Sequence, residues 1–196
     1  MDSRVLFTLP GVPRGAISRF AGFCATRRVP RALRPRVWPF LCRRLGIARE
    51  SVPGVWEDYG CFLELFTRAL PPDSRPLPAD DGGWLAPADG LLVAQANLAG
   101  EGSWVIKGSP YSSRELLPGL EPAQMAGWQA LQIYLAPRDY HRFHAPCDLE
   151  VLEAVTEPGG LQPVDPSLVK RSWKVLVSNR RVLLHCRTPS GERFAL

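Results

Sequence analysis

Apolar residues recur along this chain with two periods, and the change from one to the other divides it. Ile17, Phe20, Ala21 and Cys24 fall at i, i+3, i+4 and i+7, one face of an α-helix, followed by Arg27 and Arg28. A second stretch, Val37 to Leu45, sets Trp38, Phe40 and Leu41 beside Arg43 and Arg44. Tyr59, Phe62, Leu63 and Phe66 repeat the helical spacing and predict a core-facing helix over 56–69, ended by Pro71-Pro72 and Arg75-Pro76. From Trp84 onward, short apolar runs alternate with Gly/Pro turns, the pattern of an antiparallel sheet. The candidate strands are Leu91 to Ala94, Trp104 to Ile106, Leu131 to Leu135, Leu149 to Val155, Val175 to Val177 and Val182 to Cys186, with short helices over 111–117 and 121–128. The architecture expected is α+β: a basic amphipathic helical region over residues 1–55, then a mostly antiparallel β body with short helices over residues 56–196.

Charge follows the same division. Residues 1–50 hold eleven arginines against Asp2 and Glu50, a balance of +9, and the remainder carries −4, which gives the net +5. A positive head on an acidic body points to an anionic surface as partner. Arginine-rich helices with exposed aromatics suit a membrane interface. An organelle transit peptide and a nucleic-acid patch share that composition and stay open on these residues alone. No apolar run approaches the length that crosses a bilayer. The five cysteines are scattered without motif spacing, which favours packed thiols in a reducing compartment over a disulfide framework.

The densest chemistry lies between Ala136 and Cys147, read A-P-R-D-Y-H-R-F-H-A-P-C. Leu131, Ile133 and Leu135 alternate with polar positions just before it, and Pro137 and Pro146 limit regular structure through it. The stretch is therefore expected on a turn at a strand's end, where a sheet can aim side chains at a ligand. Imidazoles at His141 and His144 suit proton transfer near neutrality. His141, His144 and Cys147, with Asp148 as a fourth group, also have the look of a zinc set, but no second Cys/His pair stands at finger spacing. A solvated basic turn with one packed histidine is the plain alternative.

At these residues the sequence resembles the phosphatidylserine decarboxylases. Pro137-Arg138-Asp139-Tyr140-His141-Arg142, with His144 and Pro146, is similar to the family's signature. The other blocks follow in the family's order. These are Phe62 to Leu70 with Arg75-Pro76, then Pro87-Ala88-Asp89-Gly90, then Lys107-Gly108 with Tyr111-Ser112 and Leu116-Leu117. Leu161, Pro163-Val164 and Asn179-x-Arg181-Val182 complete the set. The resemblance implies that Asp89 and His144 are the acid and histidine of an Asp-His-Ser triad, with His141 and Tyr140 at the substrate head group and no metal. It implies a lyase that converts phosphatidylserine to phosphatidylethanolamine and CO2 through a self-generated pyruvoyl group. It further implies peripheral attachment to an anionic phospholipid surface, on the cytoplasmic face of a bacterial-type inner membrane, rather than a nucleic-acid partner.

The sequence also departs from the family. The self-cleaving serine belongs to an L-G-S-T-like motif, and none occurs in these 196 residues. Arg180 stands where the family has Glu, and Asp165 where it has Asn. The only Gly-Ser bonds, at Ser103 and Ser109, fall in segments the family places elsewhere. The expectation is the front part of a decarboxylase proenzyme, with a C-terminal α chain as companion and no activity by itself. A truncated, inactive, membrane-binding member of the family is the alternative.

Overall fold

The computed structural model describes residues 14–76, 83–97, 103–106, 109–162, 164 and 175–196, with the side chains of 14–17, 103–106, 109, 110, 122 and 175 excepted. Of the family-like blocks, Lys107-Gly108 and Pro163 lie outside these residues, as does Asp165. The chain forms two compact units: Arg19–Leu91 with Leu135–Cys147, mostly helical, and the described residues of Met1–Ser18, Leu92–Tyr134 and Asp148–Leu196, which carry the sheets.

Helix α1 (Arg14–Thr26), of which residues from Arg19 on belong to the helical unit, and α2 (Arg34–Leu45) within it form where the 3.6-residue pattern places them. Helix α2 begins with Pro35 in its first turn and ends at Gly46, whose left-handed φ of 77° closes the cap that Arg43 and Arg44 complement electrostatically. Trp38 is not an interfacial aromatic. It is 1% exposed and sits in a core with Cys42, Ile47, Val52, Tyr59 and Leu65, its indole N–H donating to the Tyr59 carbonyl at 2.9 Å. That core joins residues on both sides of the expected division at 55/56.

The helix expected over 56–69 is two pieces, a 3₁₀ turn at Trp56–Asp58 and α3 (Phe62–Phe66). The break has a tertiary cause. The Tyr59 carbonyl is taken by Trp38 and that of Gly60 by the Val29 N–H at 2.8 Å, while the Gly60 N–H goes to the Glu64 carboxylate. Those backbone groups are thereby withdrawn from a helical ladder. Arg68 follows, 2% exposed, its guanidinium bonded to the carbonyl and hydroxyl of Ser51 at 2.7 and 2.8 Å.

The sheet unit pairs β1 (Leu91–Asn97) with β4 (Gln129–Tyr134), and β2 (Ser103–Ile106) with β3 (Ser109–Ser112) antiparallel. The helix α4 (Ser113–Leu116) follows β3, and a 3₁₀ turn occupies Pro122–Met125 where a longer helix was expected. A three-stranded antiparallel sheet runs β5 (Glu150–Glu157), β6 (Arg181–Arg187), β7 (Arg193–Ala195), with a bulge between Val151 and Glu153. The triplet expected as a strand, Val175 to Val177, lies in the helical turn α5 (Val175–Ser178). Periodicity cannot separate the two for so short an apolar run. Here the carbonyls of Val177 and Ser178 are used by the Arg181 guanidinium and the Gly160 N–H. Asn179 clamps Gln162 with both ends of its carboxamide, at 2.8 and 2.7 Å, which gives the Leu161 and Asn179 blocks a structural link. Gly159 lies so close to the 178–180 backbone that a Cβ would stand 2.5 Å from the Ser178 oxygen.

Candidate active site

The signature stretch is a turn, as the two prolines require. The Asp139 N–H donates to the Ala136 carbonyl at 2.9 Å, and the Asp139 carboxylate accepts from the Ala136 N–H at 2.7 Å. The same Ala136 carbonyl meets Nε2 of His141 at 3.0 Å. His141 is thus fixed by its own loop at one edge. Its face stacks on Phe66, the last residue of α3, with ring centroids 3.8 Å apart. Burial pushes the His141 pKa below the ordinary histidine value, against the upward pull of the Ala136 hydrogen bond and Asp139, and the nearby Arg68 charge adds to the lowering. Arg142 anchors the turn from the other side, its Nε donating to the Thr67 carbonyl at 2.8 Å, just past the end of α3.

Tyr140 and His144 form a second pair. Their rings stack with centroids 5.5 Å apart, and the Tyr140 hydroxyl is 3.0 Å from His144 Nε2, where either group can donate. Tyr140 is buried, so both its ring and its hydroxyl are held against neighbouring groups. The two histidines therefore aim their Nε2 atoms at different groups.

Asp89 reaches the same neighbourhood through the backbone. The His144 N–H donates to the Pro87 carbonyl at 2.7 Å, and the Leu85 N–H to the Pro146 carbonyl at 2.7 Å. The segment carrying Asp89 is thereby clipped to the one carrying His144. The Asp89 carboxylate itself faces Arg75: Nε to Oδ1 at 3.1 Å, and a second contact from Nη2 to Oδ2. The Arg75 hydrogen bond lowers the Asp89 pKa despite partial burial, with the charges of Arg75 and then His144 adding to it. Sequence reasoning singled out Asp89, Tyr140, His141 and His144, and the structure brings all four into one unit. It missed Phe66, Arg68 and Arg75 as their neighbours. The only signal for them was that Phe66, Arg68 and Arg75 fall in the blocks the resemblance quoted.

Comparison with known proteins bears on the same residues. Residues 62–196 match the family model described as phosphatidylserine decarboxylase. The chain is 41% identical to the phosphatidylserine decarboxylase proenzyme of Halorhodospira halophila, over 87% of this chain and 58% of that protein. It is 36% identical to the proenzyme of Hahella chejuensis, over 91% of this chain and 61% of that one. For the proenzyme of Myxococcus xanthus the identity is 31%, over 97% and 69%. The chain thus spans about three fifths of the length of the first two relatives. With the match running from α3 through Asp89 and the signature turn to residue 196, the chain belongs to the phosphatidylserine decarboxylase family.

Proposed function

We propose that this chain is the proenzyme, or β-chain-like, part of a phosphatidylserine decarboxylase, converting phosphatidylserine to phosphatidylethanolamine and CO2 in phospholipid biosynthesis. One observation supports this above the others: His144 is tied by its main chain to Pro87, two residues before Asp89, and by its ring to Tyr140. Asp89 and His144 are assigned as the base pair, the imidazole taking a proton and the carboxylate stabilising the charged ring. His141 and Tyr140 are assigned beside the substrate's head group. The lowered pKa of His141 favours the neutral ring, and when Nε2 donates to Ala136 its Nδ1 is left as a proton acceptor.

A decarboxylation of this kind needs an electron sink, which in the family is a pyruvoyl group made from a chain serine. Among the described residues no serine hydroxyl is hydrogen-bonded to His144, whose Nε2 meets Tyr140. In this reading the described residues supply the base and its supports, with a C-terminal α chain as the assigned companion. An anionic phospholipid surface, on the cytoplasmic face of a bacterial-type inner membrane, is the assigned location. In support, Phe20 on α1 is 66% exposed, Phe23 is exposed too, and Arg27 lies 3.8 Å over the Phe23 ring.

Expression of the complete reading frame, with mass spectrometry of lipid products and of protein N-termini, tests the reading. Phosphatidylethanolamine and a pyruvoyl-bearing fragment should appear, and His144→Ala should abolish both. His141→Ala should leave cleavage largely intact and lower decarboxylation. The 196 residues expressed alone should give neither product. Normal processing with His144→Ala, or a pyruvoyl group at Ser103 or Ser109, would overturn the assignment.

A further inference from the structure

The side chains of the proposed base pair are not bonded to each other in this structure, and each has another partner. The Asp89 carboxylate accepts from Arg75 at both oxygens, the two-pronged geometry in which guanidinium matches carboxylate. His144 turns Nε2 to the Tyr140 hydroxyl. Arg75 is itself aimed. Its Nη1 donates to the Ser74 carbonyl at 2.7 Å, and the turn before it is closed by Ser74, whose hydroxyl donates to the Pro71 carbonyl at 2.6 Å. Asp73 adopts a left-handed φ of 59° in that turn, a conformation an aspartate tolerates better than most residues. Three of the Arg75 nitrogens are thus assigned, two of them to Asp89.

A carboxylate paired with a guanidinium is close to neutral as seen from a neighbouring imidazole. It stabilises imidazolium far less than a bare carboxylate would. The pair is open to solvent chiefly on the Arg75 side, with side-chain exposures of 60% at Arg75 and 30% at Asp89, so water screens it in part and weakens its hold. That combination describes a restraint able to hold Asp89 and to release it.

We infer that Arg75 is a positioning residue that keeps Asp89 away from His144, so that the Asp89–His144 pair forms only when Arg75 lets go. This rests on the role proposed for Asp89 and His144, and it adds a residue to which that role assigns nothing. Arg75 touches no reacting atom; it acts through Asp89.

The test is proton NMR of the full 196-residue chain with labelled histidine. An imidazole N–H donated to a carboxylate gives a slowly exchanging low-field resonance. The unsubstituted chain should show no such resonance dependent on Asp89. Arg75→Gln should make one appear at His144, and Arg75→Gln combined with Asp89→Asn should remove it. Arg75→Lys, which keeps the charge and loses the fork, should show it at reduced intensity. A His144 resonance already present in the unsubstituted chain and lost in Asp89→Asn would overturn the inference. So would spectra of Arg75→Gln and Arg75→Lys that both match the unsubstituted chain. Neither result touches the decarboxylase reading, which is decided by product formation from the complete reading frame.

Discussion

Burial of the His141 ring against Phe66 disfavours its charged form, and the Ala136 carbonyl and Asp139 recover only part of that loss. A histidine whose pKa is lower folded than unfolded contributes stability that is fully present above the unfolded value. That stability is lost as pH falls through the folded value. Asp89 has the same sign for a different reason, since its hydrogen bond to Arg75 favours the charged form. Its contribution is present above the usual carboxylate range and fades as pH falls through its lowered folded value. Two acid-sensitive steps should therefore separate: one beginning near the ordinary histidine pKa of about 6.5, the other below the ordinary aspartate value of about 3.9. Urea unfolding midpoints across pH 8 to 3 check this: His141→Phe, which keeps a ring against Phe66, should flatten the first step, and Asp89→Asn the second. The polar members of this site were legible as residue types in a short stretch. Their tuning was not, because Phe66, Arg68 and Arg75 are separated from the signature by some seventy positions of sequence.

Elements show where local pattern wins and where it loses. Helix α2 was readable because its Pro35 start, its apolar spacing and its Gly46 stop agree. Gly46→Ala should cost about 1–2 kcal/mol, the penalty for a side chain at left-handed φ, since a Cβ there meets only ordinary contact with Arg138 at 3.6 Å. Trp38→Ala should cost about 3–5 kcal/mol by emptying the core and orphaning the Tyr59 carbonyl. Both are read from denaturant midpoints at constant m-value. The helix expected over 56–69 shortened for a reason periodicity cannot carry: Tyr59 and Gly60 had long-range hydrogen-bond partners, Trp38 and Val29, in place of helical ones. The short Val175–Ser178 turn was misread as strand because three apolar residues fit either geometry.

At the scale of the whole molecule, charge asymmetry makes the most direct prediction. Eleven arginines in the first fifty residues, with exposed Phe20, Phe23 and Phe40, should carry the chain onto vesicles containing anionic lipid. Binding should fall as salt rises through the range in which the Debye length shrinks from about 10 Å to about 3 Å. Phe20→Ser with Phe23→Ser should weaken the salt-resistant remainder, and equal co-sedimentation with neutral vesicles would refute an electrostatic mode. By itself the sequence determined the α+β class, the basic amphipathic start, the two N-terminal helices, most of the strands and the polar signature. Each of these is written in local spacing, in charge or in an ordered set of motifs. Only the tertiary structure decided that Trp38 faces a core rather than solvent, that His141 lies on Phe66, and that Asp89 faces Arg75. Burial and pairing of that kind depend on which distant segment arrives at a given side chain, and no local window of residues contains that information.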